Sequence, residues 1–132
     1  MSQITTWDEF PAIEYVPGVF RQAFSGEKAM MTRITYKPGV VVPNHNHEAE
    51  QLMMVEKGEL WAKVDDEEKI VGPGSLLVIR SFATHAFKNL TDEDVIFYEA
   101  FAPIRLEYLI GYKGPDPALK MILDGRKLTK GD

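Results

Sequence analysis

The sequence contains no cysteine and no long apolar segment. Without cysteine, the chain cannot form a disulfide, a thiolate zinc site or a cysteine nucleophile. No apolar run approaches the ~18 residues of a membrane span. Residues 1–18 also lack the basic and apolar regions of a signal peptide. We therefore expect a soluble, cytoplasmic protein that has no membrane partner.

Positive charge is also scarce. The 15 Lys and Arg residues are outnumbered by 20 Asp and Glu, which gives a net charge of −5 at pH 7. The cations are scattered along the chain, so it lacks the basic surface typical of proteins that bind nucleic acid. Its 132 residues and ordinary globular composition predict one domain with a substantial core.

From residue 30 onward, short β-type runs alternate with Gly, Pro and Asp at intervals of about 8 to 12 residues, a pattern typical of a β-sandwich or barrel. We interpret the acidic run at 65–69 as a hairpin turn. The sequence predicts little helix: one turn within residues 2–10 and a short helix that starts at Pro117. A small jelly-roll barrel is one standard way for such a chain to protect its sheet edges.

Only three histidines occur, and two of them, His45 and His47, are separated by a single residue. On an extended strand this spacing points both imidazoles to one face, so two nitrogen atoms can converge on one ion. Pro43 favours the extended backbone. A surface strand that carries two histidines by chance is the alternative, and this pair by itself leaves both interpretations open.

The wider spacing resembles the two signatures of the cupin family. The first signature is Gly-x5-His-x-His-x3-4-Glu-x6-Gly, and it is matched, with Gln in place of Glu, by Gly39, His45, His47, Gln51 and Gly58. The second signature is matched by Gly74, His85 and Asn89, and it departs at Arg80 and Phe82, where the family has Pro and Gly.

This resemblance covers roughly residues 30 to 105. It implies an all-β, single-domain cupin jelly-roll, a conical β-barrel with a core at about 28–110. Residues 1–27 would add an edge strand or turn, and residues 111–132 a polar tail. It also implies one divalent transition metal, such as Zn, Ni, Fe or Mn, with ligands from His45, His47, Gln51 and His85. Imidazole and oxygen donors suit these metals.

The phase of the strand favours Gln51 over Glu50 as the fourth ligand. If Met53 and Val55 point into the barrel, Gln51 does too, whereas Glu50 lies on the opposite face. Four neutral ligands leave the charge of a divalent ion undiminished. This favours Lewis-acid chemistry over oxygen activation.

A second polar group lies in the stretch FYEAFAPIR, residues 97–105. Strand alternation puts Phe97, Glu99 and Phe101 on one face, and a buried carboxylate is costly unless it is paired or functional. Arg105 follows Pro103, where it can fold back over the barrel mouth. A salt bridge for Glu99 and a surface position for Arg105 are the alternatives.

This segment resembles that of the KdgF-type cupins of pectin and alginate degradation, which ketonise unsaturated uronate monosaccharides. The resemblance implies that Glu99 is a general acid/base, that Arg105 binds the uronate carboxylate and that Phe101 shapes the sugar pocket. The chain departs from that family in two respects: it has Glu99 where the family usually has Asp, and Gln51 lies one residue closer to the histidines. We add Arg33 and Met53 as candidate substrate-binding residues, with a solvent-facing position for Arg33 and core packing for Met53 as alternatives.

We therefore predict a metal-dependent, non-redox isomerase, cyclase or lyase that acts on a small carboxylated or carbonyl-containing substrate, such as an unsaturated uronate. The alternatives are an iron, nickel or copper dioxygenase of a diketone or phenol, and a non-catalytic cupin that binds a small molecule or metal. We also expect a homodimer, because residues 4–10 or 15–24 can supply an added edge strand. No nucleic-acid partner is expected.

Overall fold

The computed structural model describes residues 3–109, in which the regular structure is almost entirely β. A 3₁₀ helix, Trp7–Glu9, precedes the first strand, and a second one, Leu106–Leu109, follows the last. The strands of this range are β1 (Ile13–Val16), β2 (Val19–Ser25), β3 (Met30–Tyr36), β4 (Val41–His45), β5 (Glu50–Lys57), β6 (Leu60–Val64), β7 (Glu67–Val71), β8 (Leu76–Ile79), β9 (His85–Lys88) and β10 (Val95–Ala102). Within these residues, no helix has the length and hydrophobicity needed to cross a membrane.

The strands form two antiparallel sheets. The first has the order β1-β2-β3-β10-β5-β8, and the second has the order β4-β9-β6-β7. Strands that are far apart in the chain are paired, as in β3 with β10 and β4 with β9. This arrangement confirms the predicted all-β jelly-roll.

The inward faces of the two sheets share one apolar core. Ile34, Val55 and Phe97 come from the first sheet, while Leu60 and Phe87 come from the second. A smaller cluster of buried residues surrounds the end of β10, and it contains Met30, Ala49, Phe101, Ile104 and Leu109. In β5, buried and exposed residues alternate as far as Glu56, and in β10 buried residues alternate with half-buried or exposed ones, so a polar residue at an inward position is fixed inside the barrel.

One turn differs in part from the prediction, and two other predictions are not tested by the described residues. The acidic run at 65–69 is only partly a turn: Asp65 and Asp66 form the turn, and Glu67 already pairs with Val64 in the next strand. The N-terminal segment forms the hairpin β1–β2 at one edge of the first sheet. The homodimer stays a prediction, and the short helix predicted at Pro117 lies outside the described residues.

Two glycines enclose the first histidine motif, and both have a left-handed backbone. The φ angle is 84° at Gly39 and 82° at Gly58. A Cβ atom on Gly58 would lie 2.7 Å from the carbonyl oxygen of Asp94, whereas a Cβ atom on Gly39 would meet no atom of the described chain within 4 Å. Gly58 is therefore required both for its backbone angle and for the close approach of the chain before β10.

We expect Gly58→Ala to destabilise the protein more than Gly39→Ala. The control variant carries only the cost of a left-handed alanine, about 1–2 kcal/mol. Gly58→Ala adds overpacking against the backbone of Asp94, about 1–3 kcal/mol more. Urea unfolding of both variants and the wild type measures the difference. Equal losses of stability would contradict the close approach at Gly58.

Candidate metal centre

Three histidines from separate chain segments meet at one end of the barrel. His45 is the last residue of β4, His85 is the first residue of β9, and these two residues are paired across the strands. Their ring centroids are 4.1 Å apart, and the ring of His47 is 4.8 Å from that of His85. The candidate ligand atoms of the three residues all lie within 4.8 Å of one another. His47 lies beyond the end of β4, so the pair is not carried by one strand.

A backbone carbonyl orients each imidazole ring. The Nδ1 atom of each ring lies 2.8–2.9 Å from a carbonyl oxygen two residues away, in the pairs His45–Pro43, His47–Ala49 and His85–Ala83. Because a carbonyl oxygen only accepts, each Nδ1 carries the hydrogen and donates it. The Nε2 atom of each neutral ring then has a free lone pair. Metal-binding histidines are usually held in this way.

Two of these Nε2 atoms, those of His47 and His85, have no donor among the described residues. The Nε2 atom of His85 is buried and has no hydrogen-bond partner in the part of the chain that the structure describes. The Nε2 atom of His47 is 3.2 Å from Oε1 of Gln51, and both atoms are acceptors in this arrangement. Burial lowers the pKa of His85 to about 4 and also lowers the pKa of His47, which keeps both rings neutral at pH 7. Converging imidazole nitrogens and an amide oxygen fit a divalent transition metal.

Gln51 joins this cluster to a buried carboxyl group. It lies on the inward face of β5, 1% exposed, whereas its neighbour Glu50 is exposed on the outer face. Its Nε2 atom donates to Oε2 of Glu99 at 2.6 Å, and its Oε1 atom is the one that faces His47. The amide therefore contacts the histidine cluster at one end and Glu99 at the other.

Glu99 is buried on the inward face of β10. It also accepts a hydrogen bond of 2.8 Å from the hydroxyl of Thr32. Burial raises the pKa of Glu99 to about 7, although the Thr32 bond and the charges of Arg105 and Arg21 act in the opposite direction. None of the ion pairs among residues 3–109 includes Glu99, so the salt bridge considered for it is not observed there.

A pocket of about 340 Å³ opens beside the cluster. Polar residues and tyrosines share its wall, among them His45, Gln51, Glu99, Arg105, Tyr15 and Tyr108. Cavities of about 460 and 380 Å³ lie elsewhere, one between β7 and β8 and one against the N-terminal segment. Neither of these two is lined by a histidine, so the chemistry identifies the smaller pocket as the candidate site.

Arg105 lines this pocket at the end of the described chain. Its Nη1 atom donates to the hydroxyl of Tyr108 at 2.8 Å, and its Nε atom is 3.0 Å from Oε1 of Glu107. Its guanidinium carbon lies 4.2 Å from the centroid of the Tyr108 ring. Only 15% of the Arg105 side chain is exposed, which differs from an ordinary surface cation.

Arg33 does not reach the pocket, and its inclusion among the substrate-binding residues is corrected. Its Nε atom donates to the hydroxyl of Tyr98 at 3.3 Å, and an Nη atom lies 3.7 Å from Glu56. Thr32 and Ile34 are the buried residues on either side of it. Strand alternation therefore turns Arg33 to the outer face of the sheet, the solvent-facing alternative considered from the sequence.

Two further candidates lie behind the pocket rather than along its wall. Met53 is 3% exposed and belongs to the apolar core, so core packing, the alternative considered for it, is what the structure shows. Phe101 is also buried, with its ring centroid 5.9 Å from that of His47 and 5.3 Å from the guanidinium carbon of Arg105. Phe101 therefore supports these two groups, and it is absent from the residues that line the pocket.

Sequence reasoning missed Arg21. This residue lies on β2, is 4% exposed, and places its guanidinium carbon 4.4 Å from the ring centroids of both Tyr15 and Tyr108. The signal was present in the segment VFRQAFS, in which Arg21 alternates with Val19 and Ala23. The sequence predicts an added edge strand for residues 15–24 and no part of the site.

Comparison with known proteins agrees with this fold. The family model described as cupin domain (Cupin_2) matches residues 32–101, just over half of the chain. No curated protein sequence matches the chain.

Three solved structures show the same barrel. An RmlC-like cupin from Shewanella frigidimarina is 19% identical over 82% of this chain and 96% of that chain, with a TM-score of 0.75. KdgF from Halomonas sp. is 21% identical over 80% of this chain and 96% of that chain, with a TM-score of 0.73. A sugar phosphate isomerase of the cupin superfamily from Silicibacter pomeroyi is 19% identical over 67% of this chain and 61% of that chain, with a TM-score of 0.60. At these identities the likeness shows the fold.

We expect the protein to bind one equivalent of Zn²⁺ and His85→Ala to weaken that binding by more than about 100-fold. Mutation of a residue that only hydrogen-bonds to a metal ligand typically lowers metal affinity by about 10–100-fold, so loss of a ligand itself is expected to cost at least as much. Asn46→Ala is the matched control, because Asn46 is exposed between two of the histidines. Calorimetric titration of tag-free protein measures both variants. Unchanged Zn²⁺ affinity in His85→Ala would remove this residue from the site.

Proposed function

Because this chain belongs to the cupin family, we propose that it is a metal-dependent, non-redox isomerase, cyclase or lyase that acts on a small carboxylated or carbonyl-containing molecule. Fold alone does not select this activity, since one fold hosts many chemistries. The observation that carries the proposal is the buried carboxyl group of Glu99, which lines the pocket and is joined to the histidine cluster through Gln51.

The residues that would hold the metal are His45, His47, His85 and Gln51. With these four neutral ligands, a divalent ion would keep its positive charge undiminished and would supply a Lewis acid for a carbonyl or hydroxyl oxygen of the substrate. The donor set suits Zn, Ni, Fe or Mn.

Glu99 is the residue that holds or moves a proton in this proposal. Both of its oxygens have a donor, Thr32 on Oε1 and Gln51 on Oε2, so the carboxyl group is held in one orientation beside the pocket. General acid–base catalysis requires a group that is positioned in this way within reach of the substrate. The buried setting, which raises its pKa, is typical of catalytic carboxyl groups.

Arg105 is the cation at the pocket that binds a substrate carboxylate. Its contacts to Glu107 and Tyr108 fix the guanidinium plane, and a fixed plane favours a bidentate contact to a carboxylate. The tyrosines and aliphatic side chains of the pocket wall reduce the access of water.

An unsaturated uronate is the substrate class that we put first. The support is the segment from Glu99 to Arg105, which resembles that of KdgF-type cupins, together with the similarity in fold to KdgF from Halomonas sp.. Ketonisation converts an enol into a ketone: one proton leaves an oxygen and one reaches a carbon, so the composition does not change. A single carboxyl group beside the reacting atoms is sufficient for such a transfer.

We expect Glu99→Gln to lower turnover of a 4,5-unsaturated uronate by at least about 100-fold, the usual worth of a general acid/base. The loss of substrate absorbance measures turnover, and elemental analysis is expected to show unchanged metal content. Glu50→Gln is the control, because Glu50 is exposed on the outer face of the neighbouring strand.

The same assays separate the competing functions. Full activity of Glu99→Gln would remove Glu99 from the mechanism. Oxygen consumption by the wild-type protein with a diphenol or diketone, without loss of uronate absorbance, would replace the proposal with a dioxygenase. A metal-loaded protein that turns over none of these compounds would be a binding protein.

A further inference from the structure

Arg21 is a buried cation without a counterion. Its side chain lies on the inward side of β2, the residue is 4% exposed, and its Nη1 atom is buried without a hydrogen-bond partner in residues 3–109. None of the ion pairs found in that range includes it. A buried guanidinium without a counterion is costly, because its charge has left water and only the two tyrosine rings compensate for it. Such a group in a folded protein calls for an explanation.

The space beside Arg21 adjoins the candidate pocket. A small cavity of about 30 Å³ is lined by Arg21, Glu99 and Tyr108, among others. Five of its residues also line the larger pocket, namely Tyr15, Val19, Tyr36, Glu99 and Tyr108. Arg21 therefore lies at an inner extension of the pocket that Glu99 also lines.

Two arginines share one aromatic ring in this region. The guanidinium carbons of Arg21 and Arg105 lie 4.4 and 4.2 Å from the centroid of Tyr108. Arg105 has Glu107 as a partner, at 3.0 Å. The carboxylate that lies near Arg21 is Glu99, whose oxygens accept from Thr32 and Gln51 instead. The inner end of the pocket therefore holds a guanidinium that forms no ion pair with the described residues.

We propose that Arg21 is a second anion-binding residue, whose Nη1 atom donates a hydrogen bond to a carboxylate of the ligand at the inner end of the pocket. A carboxylate fits better than a bulkier oxyanion because the cavity is small and because the planar guanidinium matches a planar partner. The inference rests on the proposed function in one respect, because both take this pocket as the ligand site. It adds a second guanidinium beside Tyr108 to the contact made by Arg105, and it involves none of the candidate metal ligands.

The test is a calorimetric titration of the full-length protein, as purified, with propionate. Propionamide serves as the uncharged analogue, and inorganic phosphate as the competing oxyanion. We expect propionate to bind, and Arg21→Gln to weaken its binding by about tenfold or more, the usual worth of a hydrogen bond to a charged group. Arg33→Gln is the matched control, since Arg33 lies on the outer face of the adjacent strand, and it is expected to leave the affinity unchanged.

A second variant keeps the test informative if Arg21→Gln does not fold. Arg21→Met keeps an unbranched side chain against the two tyrosine rings and removes the donors. Arg21→Met is expected to weaken propionate binding to the same extent as Arg21→Gln.

Equal propionate affinity in the wild type and in a folded Arg21 variant would overturn the proposal. Propionamide that binds as well as propionate, or phosphate that binds in its place, would also overturn it. The titration requires no turnover, so it is independent of the enzymatic proposal. Weaker binding in Arg105→Gln alone would support the role of Arg105 and contradict the role of Arg21.

Discussion

The amide group of Gln51 is the contact on which the rest of the site depends. An amide has one accepting end and one donating end, and this one lies between a histidine nitrogen and a carboxyl group. Reversing it would bring the amide oxygen against the oxygen of Glu99 and turn the NH₂ group toward His47. Glu99 therefore selects the orientation in which the cluster gains an oxygen donor.

The same contact explains why this chain has Gln where the first cupin signature has Glu. A glutamate at position 51 would place a second carboxyl group about where the Gln51 amide now lies, 2.6 Å from Glu99. Two carboxylates at that distance cannot both be ionised. Gln51 and Glu99 are thus one compatible pair, in which the candidate metal ligands are all neutral and Glu99 is the single carboxyl group that can hold a proton.

The inward positions of Gln51 and Glu99 could be predicted from the sequence. Each of their strands, β5 and β10, buries one face, so a period of two fixes which residues point inward. The same reasoning left the direction of Arg33 open and did not identify Arg21 on the neighbouring strand. Both faces of β3 carry apolar residues, with Met31 outside and Met30 inside, so the sequence left the direction of Arg33 open. The cation that points inward is Arg21. The pairing of β2 with β3 places Arg21 opposite the buried residue Ile34, and this register determines its direction.

The net charge of the chain is opposite in sign to the charge of the two arginines at the pocket. The chain as a whole is acidic, with a net charge of −5, yet Arg105 lines the candidate pocket and Arg21 lines the small cavity beside it. Charges on the surface are screened beyond about 8–10 Å at physiological salt, so they act weakly on a ligand inside the barrel. Long-range steering does not help an anion to approach such a surface. An anionic ligand would therefore be selected by short-range contacts within the pocket, where the low dielectric strengthens each of them.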